Sequence, residues 1–172
     1  YSAPAAYYFP LTTRLSGIEV FKGPSAIKYG PNTIGGAVNF TTRSSVARGQ
    51  KGAIDVATGS FGANKVHVHF GQGNGRVGYV LEGARVTSDG FKRLDGGGDT
   101  GFTKSDWMLK LHANNGVASR IFQRVELKLG YADESSNETY LGLTDEDFRA
   151  TPNRRYPASR LGNMDWTRTQ AK

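Results

Sequence analysis

Beyond Lys51 the chain alternates between apolar and polar positions. Ile54, Val56 and Thr58 stand against Asp55 and Ala57, and Val66, Val68 and Phe70 against Lys65, His67 and His69. From Ser105 the pattern is cleaner, with Trp107, Leu109, Leu111 and Ala113 against Asp106, Met108, Lys110 and His112. Cleanest of all is Val125, Leu127, Leu129 and Tyr131 against Arg124, Glu126, Lys128 and Gly130. A period of two puts each set on its own face of a strand, so these segments predict strands with one apolar face. Val77 to Val86 is rich in β-formers, but its two faces are less distinct. Runs of about ten residues are what a tilted strand needs to cross a bilayer.

The connections carry independent information. Hairpins turn at Ser60–Asn64 and at Gly73-Asn74-Gly75-Arg76, the latter a short Asn/Gly turn. A long gap, Ser88 to Lys104, contains Gly96-Gly97-Gly98. A shorter one spans Asn114 to Ile121, and the longest runs from Glu134 past Arg160. After the first hairpin, short and long connections alternate, as they do in barrels with turns at one membrane face and loops at the other. Gly162 to Lys172, with Met164 and Trp166 on one side, opens a further strand.

Ahead of these strands the residues organise differently. Tyr1 to Arg14, with Pro4, Pro10 and Tyr7-Tyr8-Phe9, predicts an extended loop with its aromatics buried. Gly17 to Thr42 reads strand, turn, short helix, turn, strand. Ile18-Glu19-Val20-Phe21 runs into Lys22-Gly23-Pro24, Ser25 to Tyr29 is the helical candidate, and Gly30-Pro31 ends it. A bend at Asn32 to Gly36 then leads into Ala37-Val38-Asn39-Phe40-Thr41. Glycine permits such corners and proline fixes φ. Ser44 to Lys51 is polar and reads as a linker.

In order and spacing, Ile18-Glu19-Val20, Lys22-Gly23-Pro24, Tyr29-Gly30 and Ile34-Gly35-Gly36-Ala37-Val38-Asn39 resemble the end of the plug domain of TonB-dependent outer-membrane receptors. Further along, Ser136-Asn137-Glu138-Thr139-Tyr140-Leu141-Gly142-Leu143-Thr144-Asp145, Arg154-Arg155-Tyr156 and Met164-Asp165-Trp166-Thr167-Arg168-Thr169-Gln170 look like the ferric-citrate branch of that family. The resemblance implies a mainly β chain in three parts. Residues 1–43 would be the C-terminal part of a plug, 44–51 a linker, and 52–172 the first antiparallel hairpins of a transmembrane β-barrel. Such a set of strands is an incomplete barrel, because single-chain bacterial barrels begin at about eight strands.

The resemblance further implies a bacterial outer-membrane location and energy-coupled import of a ferric chelate, with ferric citrate first. It implies no enzymatic activity and no cofactor, iron entering only within the cargo. Partners would be a TonB-type energy-coupling protein, whose contact region is not expected in this chain, together with outer-membrane lipid and lipopolysaccharide. With the plug at the periplasmic side, Ser88–Lys104 and Glu134–Arg160 fall outside the cell, and Trp107 and Tyr131 join an aromatic girdle.

Composition adds constraints. Cysteine is absent, so disulfides and thiolate metal sites are excluded. Mean hydropathy is −0.48, a value that says little about a barrel whose strands alternate polar and apolar positions. Glycine numbers 23, with 9 Phe, 8 Tyr and 2 Trp, which suits a turn-rich β protein. The formal charge of +7 favours anionic partners, among them nucleic acid, lipopolysaccharide phosphates and an anionic chelate. Its cations are scattered rather than blocked, so no nucleic-acid partner is expected.

Arginine forks bind carboxylates in pairs of hydrogen bonds, which makes Arg149, Arg154, Arg155 and Arg160 the candidate ligand contacts. The competing reading pairs them with Asp145, Glu146 and Asp147, or leaves them solvated. Lys22 and Lys28 are weaker candidates. His67 and His69 share a strand face and His112 lies on a nearby strand, which suits a metal chemically, but with no third ligand confirmed they read as lumen-facing polar residues. Glu19, Glu82 and Glu126 read as isolated, and no nucleophile, phosphate-loop or calcium-loop motif stands out. Alternatives remain: a related receptor for another siderophore or a non-iron ligand, or a soluble basic β-domain binding nucleic acid or another anion. A plain porin would not need the Gly17–Thr42 unit.

Overall fold

The computed structural model describes residues 10–30, 35–137, 139, 141–161 and 165–171. The chain divides into two compact units, Tyr1–Ser44 and Ser45–Lys172.

In the first unit, β1 (Leu15–Phe21) pairs antiparallel with β2 (Ala37–Thr42), from Leu15↔Thr42 to Phe21↔Ala37. At Gly17 an added Cβ would lie 2.8 Å from Thr41 Oγ1, so glycine lets that hydroxyl donate to the Gly17 carbonyl at 3.2 Å. Asn39 Nδ2 donates to Glu19 Oε2 at 2.8 Å. The expected short helix is a 3₁₀ helix from Gly23 to Tyr29, with Pro24 in its first turn and Gly30, at φ 128°, behind it. Phe21 and Tyr29 pack at 4.8 Å, and Lys28 Nζ sits 4.2 Å from the centre of the Phe21 ring. The expected extended loop ends in a 3₁₀ turn, Thr12–Arg14, closed by the Arg14 N–H on the Leu11 carbonyl at 2.9 Å. Tyr7-Tyr8-Phe9 and most of the bend at Asn32–Gly36 lie outside the described residues.

The second unit is a six-stranded antiparallel meander. Its order is β3 (Arg48–Thr58), β4 (Asn64–Asn74), β5 (Val77–Ser88), β7 (Phe102–Asn114), β8 (Arg124–Asn137), β10 (Asp165–Ala171). Each strand pairs with its neighbour in sequence along this list, leaving β3 and β10 at the edges. A second, short sheet joins β6 (Arg93–Leu94) to β9 (Arg154–Arg155) in parallel. Helices α1 (Asp145–Ala150) and α2 (Ala158–Leu161) lie in the connection from β8 to β10. The β4–β5 turn is fixed by Asn74 Oδ1, which accepts the N–H groups of Arg76 at 3.0 Å and Val77 at 2.9 Å, with Gly75 at φ 94°. Asn114 repeats this device after β7, accepting Gly116 N–H at 2.9 Å.

The register segregates the two faces as the alternation predicts. Val66, Val68, Phe70, Leu81, Trp107, Leu111, Val125, Leu127, Leu129 and Tyr131 are exposed. His67, Glu82, Asp106 and His112 on the other face are buried, alongside Val80, Ala84 and Met108. The sheet therefore exposes its apolar side chains on one face and buries Glu82, Asp106, His67 and His112 among its central strands on the other, the reverse of a water-soluble sheet. On the exposed face Trp107 lies over Gly83, its cross-strand partner, where an added Cβ would fall 2.4 Å from the indole.

Strands run past the apolar pattern. β8 continues through Asp133 and Glu134 to Asn137, where a loop was expected, because Glu134 pairs with Lys104 at 3.1 Å on β7 and Asp133 accepts from Thr169 at 3.0 Å on β10. The expected linker at 44–51 is also corrected. Arg48–Lys51 are strand residues paired with Gly71–Asn74. Ser45–Ala47 lie across β4 and β5, with Val46 N–H on the Tyr79 carbonyl at 3.3 Å and Gly75 N–H on the Ala47 carbonyl at 2.8 Å. This approach requires glycine beneath it. A Cβ on Gly73 or Gly78 would fall 1.9 or 2.0 Å from the Val46 carbonyl oxygen, and one on Gly71 2.6 Å from Val46 Cγ2.

Gly78→Ala should therefore force Ser45–Ala47 off the sheet and cost about 1–3 kcal/mol of stability, the usual range for overpacking. Gly59→Ala, whose added methyl would meet only Ala63 Cβ at 3.6 Å, serves as the neutral comparison. Thermal unfolding of both variants in detergent measures the difference.

Candidate functional site

Two long connections meet through backbone pairing. Residues 89–101 link β5 to β7, and 138–164 link β8 to β10. Arg93 N–H donates to the Asn153 carbonyl at 2.7 Å and Asp95 N–H to the Arg155 carbonyl at 2.9 Å, which builds the β6–β9 pair. Arg154 then locks the junction. Its Nε lies 3.1 and 2.9 Å from the two Asp95 carboxylate oxygens, its Nη2 lies 2.9 Å from Asp95, and its Nη1 donates to Asp147 Oδ1 at 2.7 Å. One guanidinium thus ties together two carboxylates from separate connections.

Helix α1 is held by the same network. Thr144 caps it, accepting Asp147 N–H at 3.2 Å, with Asp145, Glu146 and Asp147 in the first turn and Arg149 in the last. Tyr156 donates its hydroxyl to Asp147 Oδ2 and accepts the Thr144 N–H at 3.2 Å. These bonds, led by that from Tyr156 and joined by Thr144 and Arg154, hold the Asp147 carboxyl below its usual range. Asp95, followed by Asp147, pushes the Arg154 guanidinium up.

Beside this clasp is an open pocket of about 340 Å³ lined by Thr139, Leu141, Leu143, Asp145, Phe148 and Arg155. Thr139 is buried, and its Oγ1 has no hydrogen-bond partner among the described residues.

The sequence candidates separate on this geometry. Arg154 is a structural pin, so its fork is already committed to Asp95 and Asp147. The competing reading foresaw Asp147 but not Asp95, which lies 59 positions away. Arg155 lines the pocket while its Nη1 holds the Pro152 carbonyl at 3.0 Å. Arg149 is exposed at the end of α1. Arg160 belongs to α2 by backbone, and its side chain lies outside the described ones. Lys22 is exposed, whereas Lys28 covers the rings of Phe21 and Tyr29. Sequence reasoning missed Tyr156 and Asp95 as loop organisers. Asp95 precedes a glycine run that marked the segment only as loop.

On the buried face, His67 Nε2 lies 2.8 Å from Glu82 Oε1, and His112 Nδ1 lies 2.7 Å from Ser45 Oγ. Glutamates expected to be isolated are in fact paired: Glu82 with His67, Glu19 with Asn39, and Glu126 with Arg124 at 2.6 Å. Glu82 meets His67 across strands at a position set by register, whereas Glu126 meets Arg124 two residues away along β8. Among the described residues no group of three or more His, Asp or Glu side chains is placed to hold a metal ion. No helix among them is long and apolar enough to cross a membrane.

No family model, no curated protein and no solved structure matches the chain.

Arg154→Ala should free the two connections from each other. Hydrogen exchange at the Arg93 and Asp95 amides should rise, while Leu109 in β7 stays protected. Acid should do the same in the native protein. A carboxyl with a depressed folded-state pKa stabilises the fold above its ordinary, unfolded value. That contribution disappears as pH falls through the depressed value, so the clasp should hold at neutral pH and loosen only below the ordinary carboxylate range. Arg154, raised from an already high value, stays charged throughout. Exchange rates corrected for intrinsic pH dependence read this out, with Asp147→Asn removing the acid transition.

Proposed function

We propose that this chain forms part of an energy-coupled outer-membrane receptor that imports a ferric chelate, with ferric citrate as the leading cargo. The observation that carries the reading is the inverted sheet. Its exposed face bears Ile54, Val56, Val68, Leu81, Leu127 and Leu129, while Glu82 on the other face is 0% exposed. Water penalises such an arrangement, whereas hydrocarbon outside a polar-lined wall favours it. Strands β3, β4, β5, β7 and β8, of 11 to 14 residues, are long enough to span a tilted crossing. The edges β3 and β10 would be closed by further wall, since open edges in lipid leave backbone groups unsatisfied.

In this reading Tyr1–Ser44 is the end of the plug, Ser45–Ala47 threads it into the wall, and the joined long connections face outside the cell. Energy for uphill uptake comes from a TonB-type partner in the inner membrane. Leu109 and Leu129 lie beside the exposed rings of Trp107 and Tyr131 on the same face, which Arg85 shares, whereas stacking on nucleic acid would need a mainly basic face.

A lipid face and a water face respond oppositely to one substitution. Leu129→Arg should cost about 2–4 kcal/mol if β8 meets the bilayer interior. In water, exchanging one exposed side chain for another should change stability by under about 0.5 kcal/mol. Folding of the full-length protein into vesicles under urea gives the value, and a near-zero change would end the membrane reading. Import is tested separately, by uptake of radioactive iron as its citrate in iron-starved cells with and without the full-length protein. Uptake that is equal in both strains would reject the cargo.

A further inference from the structure

We propose that the pocket beside the loop clasp binds a small zwitterion, an α-amino acid with an apolar side chain. The pocket's size, about 340 Å³, lies at the small end of ligand sites. Its lining offers one guanidinium, Arg155, and one carboxylate, Asp145. Leu141, Leu143 and Phe148 supply an apolar wall. A ligand carboxylate fits the first, an ammonium the second, and an aliphatic or aromatic side chain the third. Thr139 adds a second sign of a ligand. It lines the pocket, is 9% exposed, and its Oγ1 has no partner among the described residues. A buried hydroxyl without a hydrogen bond is costly, and a polar ligand group would relieve it.

The lining is braced before any ligand arrives. Asp145 and Phe148 ride on α1, whose Asp147 is fixed by Arg154, Tyr156 and Thr144. Arg155 is held through its carbonyl by Asp95 N–H at 2.9 Å. Preorganisation of this kind lowers the ordering cost of binding. Charge sets the ligand class. Asp145 beside Arg155 leaves the pocket close to neutral, so a polyanionic chelate gains little there. The site is therefore distinct from one for ferric citrate and does not depend on the transport reading.

Calorimetry of the full-length protein in detergent micelles with L-leucine tests this. Saturable binding is expected, weakened about tenfold or more in leucinol, which lacks the carboxylate, and in 4-methylpentanoate, which lacks the ammonium. Arg155→Met and Asp145→Asn should each weaken L-leucine about tenfold, while Arg120→Ala in the β7–β8 turn should change nothing. The analogue comparison needs no variant and stands even if a substitution misfolds. Absence of saturable L-leucine binding would overturn the proposal, as would citrate binding at this pocket more tightly than L-leucine. Import of ferric citrate may be found or lost without touching either outcome.

Discussion

Pairing on the buried face is the constraint on which the sheet depends. A sheet that exposes apolar side chains on one face and buries ionisable ones on the other must give the buried ones partners. Glu82 is fully buried and meets His67, Lys104 meets Glu134, and Lys65 meets Asp55 at 2.7 Å. Each pair joins adjacent strands, so the pairs also help fix register. A slip of one residue would carry Glu82 and His67 to the apolar face and Leu81 and Val68 to the polar one. The apolar face alone could not enforce this alignment if it only meets a fluid environment, because lipid does not distinguish one leucine position from another.

Backbone proximity is the second constraint. Ser45–Ala47 cross the sheet where Gly71, Gly73 and Gly78 leave no Cβ, and the Ser45 hydroxyl reaches His112 on β7. The chain is thus pinned at the point where it feeds β3, by backbone bonds, by the Ser45 hydroxyl and by the buried Val46 side chain.

Much of the second unit could be read in the sequence because its strands alternate cleanly. Val125 to Tyr131 gave the exposed face of β8, and Asn74 gave the turn after β4. Most of the misses share one physical origin: they depend on partners distant in sequence. Arg48–Lys51 carry no strand pattern, yet they pair because Gly71–Asn74 are already in the sheet. Glu134 seemed a loop residue until Lys104 stood opposite it. Of the candidate site, the arginine-rich segment was legible as polar loop chemistry. The division between Arg154 as a pin and Arg155 as a pocket residue was not, since it turns on Asp95 across a parallel pair of two-residue strands.

That division changes what the charge of +7 means. Pairing does not change the sum of charges, so the bonds of Lys65, Lys104, Arg124 and Arg154 to nearby carboxylates leave the excess intact but move it to other cations. The summed field still draws anions toward the molecule, because steering depends on net charge over distances comparable to the Debye length. Contact is another matter. A bidentate fork already filled by Asp95 offers a ligand nothing new, and breaking it would cost the clasp its pin. Anion attraction and anion recognition therefore belong to different residues here, and an arginine count measures only the first.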